Sequence, residues 1–569
     1  MRKNKLSFLI ALLLTALLLT GCGLDSLPGA YERSEYAYKD ICRFDDMEYV
    51  RPDMQDIRMS ARAIEKSLEN GAGLKAVESL LNDFNELSYN FDTMYTIANI
   101  RSCQDFTDAY YAAEYDWCSN AYYDLQQLTD ELFRACSASE LGDRLEEDYF
   151  WEGFLDEYSP EEESIYTDEY MSLVYRENEL LSQYRSLLSD NSIELDGEEW
   201  DIGDYLSRTD DEGSGRAYSA YYEKYNPLIG EVYVQLVKLR NEQAGTLGYD
   251  SYARMQYELS YERGYRVEDG REYIDAIKKY IVPAYKILMA GNPYSSLVYD
   301  YLPENELMTH VQTAAETMGG DVEEAFSFMR EYELYDVALR ENKVNNSFQT
   351  YLASYEAPFM FVSPYGDTED LISVLHEFGH YTDAYVNFNA YETMDLAECY
   401  SQTMQYLGLC SLRDSLTQSE YENLMRMNNI STLETFVQQA SFAEFEDRVY
   451  EADADELTVE WINALSLELA MEYGYYDGVS DDYYALSWID TPHFFEAPFY
   501  VISYPVSASV ALEVYALELE TPGAGLDKYR EMLRRDYSGL TDMVSAVSLA
   551  DPLDAGQVQK AARLLTDGI

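Results

Sequence analysis

The chain has 569 residues, of which 47% are hydrophobic and 14% aromatic. That content excludes general disorder, and the length exceeds what one hydrophobic core usually supports, so two lobes are expected. With 106 acidic residues against 40 Lys and Arg, the formal net charge is −66, which argues against nucleic-acid partners because a phosphate backbone would be repelled.

The first predicted element is a targeting segment. Arg2, Lys3 and Lys5 precede the apolar run Leu6 to Leu19, and Leu19-Thr20-Gly21-Cys22 has the form of a bacterial lipobox. The run is short for a membrane span and carries signal-peptide flanks, so residues 1–22 read as a removed lipoprotein signal with Cys22 as the lipidated residue. A short anchor left uncleaved would give the same topology. Either way the chain is expected outside the cytoplasmic membrane of a bacterium, anchored by its N-terminal lipid, since so acidic a surface does not dock on anionic lipid. Residues 23–50 then read as a tether.

Helical periodicity begins at Asp53. Ile57, Met59, Ala63, Ile64 and Leu68 mark one helix, and Leu74, Val77, Leu80, Leu81, Phe84 and Leu87 the next. Further helices are predicted over residues 115–136 and 161–188. The polar stretch Thr209 to Gly215 is the clearest break, with residues 190–203 also loop-like. This places a helical N-terminal lobe at 51–204 and a catalytic region at 205–569. Beyond Cys22 the cysteines are Cys42, Cys103, Cys118, Cys136, Cys399 and Cys410. None has C-x-x-C spacing, and Cys399 and Cys410 on one helix would sit about 16 Å apart, too far for a bond.

Phe359-Met360-Phe361-Val362 is a strand candidate. As an edge strand it would pair with a peptide backbone and set Phe359 and Phe361 against bound substrate; as a buried core strand it would not.

Chemistry concentrates just beyond it. Only four histidines occur in the chain, and two stand in Leu375-His376-Glu377-Phe378-Gly379-His380. Residues four apart share a helix face, so both imidazoles can reach one metal ion, while Glu377, turned about 100° away, can face an attacking water. Pro364-Tyr365-Gly366 breaks the chain before this helix, Asp367 or Thr368 can cap it, and Glu369 and Asp370 suit its first turn. Catalytic zinc usually takes three protein ligands and keeps one position open. The remaining histidines, His310 and His493, are distant, so a carboxylate is expected from a second, antiparallel helix starting near Thr393. Glu398, Glu392 and Asp395 are the candidates.

Three blocks in order carry a family resemblance: His376 to His380, then Asp395-Leu396-Ala397-Glu398, then Pro492-His493-Phe494-Phe495-Glu496-Ala497-Pro498-Phe499-Tyr500-Val501. Together they resemble the oligopeptidase F branch of the thimet oligopeptidase family of zinc metallopeptidases. Weaker likeness runs through Leu247 to Tyr252 and Ala357 to Val362, so it covers roughly residue 200 to the C-terminus. The resemblance implies Glu398 as third ligand to one zinc ion, and His493, Tyr500 and Tyr504 on the transition-state side. It implies a mainly α, two-lobed fold enclosing a deep channel, with a small β-sheet beside the zinc helix and short unfolded peptides as substrates. Ile502 and Pro505 depart from the family pattern.

The expected function is thus zinc-dependent endopeptidase action outside the cytoplasmic membrane, with Glu377 as general base. Two alternatives remain at this level: a non-catalytic peptide-capture lipoprotein, and a zinc carboxypeptidase or dipeptidase. Glu377 speaks against capture, because a binding protein needs no general base.

Overall fold

The computed structural model describes residues 37–567, apart from 151–152, 157, 160–163, 389–392, 454–455, 479 and 534–536. The signal segment, Cys22, much of the tether and Glu392 therefore lie outside the described residues.

The N-terminal part is helical: α1 (Met54–Glu69), α2 (Leu74–Gln104), α3 (Ala109–Ser137), α4 (Gly142–Asp148) and α5 (Asp168–Ser189). Asp53 caps α1 by accepting the Gln55 N–H. Its buried stripe is Ile57, Ala61 and Ile64, while Met59 is exposed; the i, i+4, i+7 spacing selects Ala61 over the larger side chain. These residues pack with Leu81, Phe84, Leu125, Phe133 and Phe150 into a core of their own.

The 190–203 stretch forms a hairpin, β1 (Ser192–Leu195) against β2 (Glu198–Asp201), followed by the short α6 (Ile202–Leu206). The expected break at Thr209–Gly215 is instead the start of α7 (Asp211–Thr246), where Asp210 caps by accepting the Gly213 N–H. Helix-capping chemistry and loop chemistry use the same residues, which is why the segment misleads. Leu181 and Tyr184 of α5 join Tyr225, Ile229 and Tyr233 of α7 in a second, larger core that runs to the C-terminus.

Around that core follow α8 (Tyr252–Met255), with a one-turn π extension at Gln256–Ser260, then α9 (Val267–Tyr280), α10 (Val282–Ala290), α11 (Glu304–Met318) and α12 (Asp321–Glu331). A three-stranded sheet comes next, β3 (Tyr335–Asp336), β4 (Phe348–Leu352) and β5 (Ala357–Phe361), in the order β3-β5-β4. β5 is the central strand, parallel to β3 and antiparallel to β4. The edge-strand expectation is therefore corrected. Phe359 and Phe361 are both fully buried, against Phe44 and Phe348 respectively, and present no face to a substrate.

The sheet backs α13 (Asp370–Val386), which packs on α14 (Met394–Ser411), and α14 packs in turn on α19 (Ser503–Glu520). Between them run α15 (Gln418–Glu451), α16 (Val459–Tyr473), α17 (Asp481–Leu486) and α18 (Pro492–Glu496); α20 (Ala524–Leu533), α21 (Leu540–Ala546) and α22 (Ala555–Asp567) close the chain. The fold is mainly α with small sheets. Cys399 and Cys410 share α14 as expected. Among the described residues no helix is long and apolar enough to cross a membrane.

Candidate metal centre and the groups facing it

Helix α13 starts differently from the expectation. Asp370, its first residue, turns back to accept the N–H groups of Tyr365, Gly366 and Asp367, so it fixes the incoming turn rather than serving as a passive dipole partner. One and a half turns on, His376 and His380 project from the same face, with their Nε2 atoms 3.2 Å apart.

What brings α14 close is a missing side chain. A Cβ on Gly379 would lie 2.6 Å from Ser401 Cα and 2.9 Å from the Tyr400 carbonyl, so only glycine permits this approach. The crossing delivers Glu398, whose Oε2 is 3.5 Å from His376 Nε2 and whose Oε1 is 3.9 Å from His380 Nε2. One ligand atom from each of these three residues falls within 4.8 Å of the others. Asp395, one turn earlier on α14, points instead to Arg263 at 3.5 Å. Of the three carboxylates open from spacing, the structure thus brings Glu398 to the histidines and directs Asp395 elsewhere.

The residues present suit a divalent cation. Gln405 Oε1 lies 3.0 Å from His376 Nδ1, and because it can only accept, Nδ1 donates to it and Nε2 is the nitrogen turned toward Glu398 and His380. Gln405 is itself oriented by donating to Asn428 Oδ1 at 3.2 Å. Burial drives the His380 pKa well below its usual value, which keeps that imidazole neutral. Burial also holds Glu377 well above the ordinary carboxylate range, reinforced by the neighbouring Glu398. Glu377 Oε2 has no hydrogen-bond partner although it is buried, an arrangement that costs energy unless something arrives to use it. A cation beside it would reverse the electrostatics and favour the carboxylate.

Facing this set is the 493–504 segment. Tyr500 donates its hydroxyl to Glu398 Oε1 at 2.7 Å, and its ring stacks on His493 at 5.7 Å and meets Tyr504 edge-on at 5.1 Å. His493 is 2% exposed, with Nδ1 unpartnered, and burial lowers its pKa to about 3. The three residues that the resemblance puts on the transition-state side, His493, Tyr500 and Tyr504, thus lie together beside Glu398. His310 lies on α11, away from this cluster, with its pKa lowered by burial.

Sequence reasoning missed Gln405. It stands seven residues after Glu398, two turns along the same helix face, and that spacing was the available signal.

Comparison with known proteins bears on the family. A family model described as the peptidase M3 N-terminal domain matches residues 44–157, and one described as peptidase family M3 matches residues 318–561. Oligoendopeptidase F homolog of Lactococcus lactis subsp. lactis (strain IL1403) is 27% identical over 369 residues, 59% of this chain and 60% of that protein. The match thus spans under two thirds of that relative. Oligopeptidase PepF of Bacillus subtilis (strain 168) is 23% identical over 572 residues, 89% of this chain and 83% of its own length. Among solved structures, PZ peptidase A, with an inhibitor, superposes with a TM-score of 0.79 at 21% identity, covering 92% of this chain and 98% of its own; that likeness speaks to the fold alone. With both family models placed in chain order and the second enclosing the His-His-Glu cluster, the chain belongs to peptidase family M3, with oligoendopeptidase F among its homologues.

Proposed function

We propose that this protein is a zinc-dependent endopeptidase acting on short, unfolded peptides outside the cytoplasmic membrane. The observation that carries the reading is Glu377: a buried carboxylate with an unpartnered oxygen, one residue from a histidine of a His-His-Glu set. His376, His380 and Glu398 would hold the ion, and when bound it supplies Lewis acidity toward the scissile carbonyl and toward an activated water. Glu377 Oε2 takes the proton from the attacking water and returns it to the leaving amine. The hydroxyls of Tyr500 and Tyr504, with His493, form the opposite wall, where donors to the developing oxyanion are needed. Tyr500 supplies such a donor by turning from Glu398 toward the substrate.

Depth of burial supports the substrate class. His376, Glu377, Glu398 and His493 are each at most 5% exposed, and a centre this deep favours an extended peptide over a folded protein. The lipobox at Cys22 supports an extracytoplasmic, lipid-anchored location. Metabolic labelling with palmitate, lost in Cys22→Ala, is the expected result; unlabelled wild type would remove that placement.

The decisive test of the chemistry is hydrolysis of a short, internally quenched peptide blocked at both ends, by wild type and Glu377→Gln. Internal cleavage by wild type that a chelator stops, with a zinc-loaded but inactive variant, is expected. If zinc-loaded wild type binds peptides and cuts none, blocked or free, the protein is a capture protein and the general-base role falls. If it cuts free but not blocked peptides, it is an exopeptidase.

A further inference from the structure

The loop that carries Tyr500 is held in an unusual conformation from outside. Phe499, the residue before it, has φ +65°, a left-handed conformation that bulky side chains rarely adopt. Both of its peptide groups are pinned by buried charged side chains. Glu446 Oε1, on α15, accepts the Phe499 N–H at 2.9 Å, and Arg263 Nη2 donates to the Phe499 carbonyl at 2.9 Å. The same Nη2 donates to Ser503 Oγ at 2.9 Å, one residue before Tyr504.

Arg263 also reaches the other side of the centre. Its Nε lies 3.5 Å from Asp395 Oδ1, with the two side chains 0% and 2% exposed. Asp395 is one turn before Glu398 on α14, so a single guanidinium spans from the ligand-bearing turn to the loop facing it. Neither Nε nor Nη1 has a hydrogen-bond partner. The buried cation rests instead on aromatic faces, 4.3 Å from the Tyr257 ring and 4.6 Å from Tyr261. Tyr261 strengthens the grip by donating to the Pro498 carbonyl at 2.9 Å.

We propose that Arg263 is a positioning residue for the reaction proposed above, on which this inference rests: it sets the Tyr500–Tyr504 wall at a fixed distance from Glu398 by bridging Asp395 to the Phe499 carbonyl and Ser503. It touches neither ligand nor substrate and acts through Tyr500. The planar fork is what the role requires, since a lysine ammonium is a point donor that cannot reach both ends. Displacing a catalytic group by about 1 Å from a remote change can cost about 100-fold in rate.

The test uses the zinc-loaded full chain as wild type, Arg263→Lys, Tyr500→Phe and the double variant. Arg263→Lys is expected to keep its zinc and a KM within about threefold of wild type while kcat falls about 100-fold. The double variant should fall little below Tyr500→Phe alone, because two residues acting through one hydroxyl are not additive. Affinity for a phosphinic peptide, whose tetrahedral phosphorus mimics the transition state, should drop alongside kcat, with affinity for product peptides unchanged. Additive losses, a loss explained by missing zinc or a lower melting temperature, or unchanged kcat would overturn the proposal. Should Arg263→Lys not fold, the near-isosteric Asp395→Asn carries the test, with the same kcat-selective loss expected and an unchanged kcat overturning it. A wild type that cleaves nothing sinks the peptidase reading; an active wild type with an equally active Arg263→Lys sinks only this inference.

Discussion

Gln405 shows how a neutral side chain sets the character of a charged site. By accepting from His376 Nδ1 it decides which ring nitrogen faces Glu398 and His380, and its own amide is locked by Asn428. Partners of this kind are worth about 10–100-fold in metal affinity. Gln405→Leu, similar in size but unable to accept, is expected to weaken zinc binding by about that factor, measured by competition with a chromophoric chelator. Unchanged affinity would mean that the His376 ring is oriented by packing alone. The two histidines and Glu377 were legible in sequence because H-E-x-x-H prescribes its own geometry. Gln405 was not, since its spacing from Glu398 puts it on the same helix face, while only the facing of α13 and α14 shows that it meets a ring nitrogen there. Glu398 lay between these cases: spacing left it open against Glu392 and Asp395, and the helix crossing, with Asp395 drawn off by Arg263, brings it to the histidines.

At the level of elements, the site depends on how closely two helices approach. Gly379 on α13 faces Ser401 and Met404 of α14, and Gly408 of α14 faces Leu375 of α13, where a Cβ would lie 2.8 Å from a Leu375 methyl. The two contacts differ in kind. At Gly408 the obstacle is the end of a side chain that can rotate, whereas at Gly379 it is backbone, which cannot give without moving the helix. Gly379→Ala is therefore expected to cost about 1–3 kcal/mol of stability by overpacking and to push Glu398 away from the histidines. Gly408→Ala should cost less. Melting temperature and zinc affinity of both variants check this; equal effects would mean that α14 is not held by contact at Gly379. Helix α13 was readable from its residues, but β5 shows where such reading stops. An apolar run looks the same as an edge or a central strand, and here the answer depended on β3 and β4 upstream: β4 pairs along the whole of β5, and β3 pairs with Met360 and Phe361 on the other side. The start of α7 failed for a related reason, since Asp210 and the glycines after it serve a helix cap as well as a turn.

On the scale of the whole molecule, the mainly helical class followed from periodicity and from three motif blocks in order, while the division between cores did not. α5 lies before the polar break, yet Leu181 and Tyr184 pack on α7, a tertiary choice that no local pattern records. The charge of −66 was plain from composition, and its consequence for function turns on range. Carboxylates spread along the chain give a field that acts beyond contact distance, and on the function proposed above that field would act on a flexible peptide before it enters the buried centre. Lys-rich peptides should therefore be drawn in and Glu-rich peptides held off at low salt. Raising ionic strength from about 0.01 M to about 1 M shortens the screening length from about 30 Å to about 3 Å. Over that range kcat/KM for a Lys-rich blocked peptide is expected to fall and that for a Glu-rich peptide of equal length to rise, with kcat little changed, because screening alters encounter and not the chemistry at Glu377. Parallel salt slopes for the two peptides would show that the acidic surface serves solubility alone and that peptide choice is made by contacts inside the site.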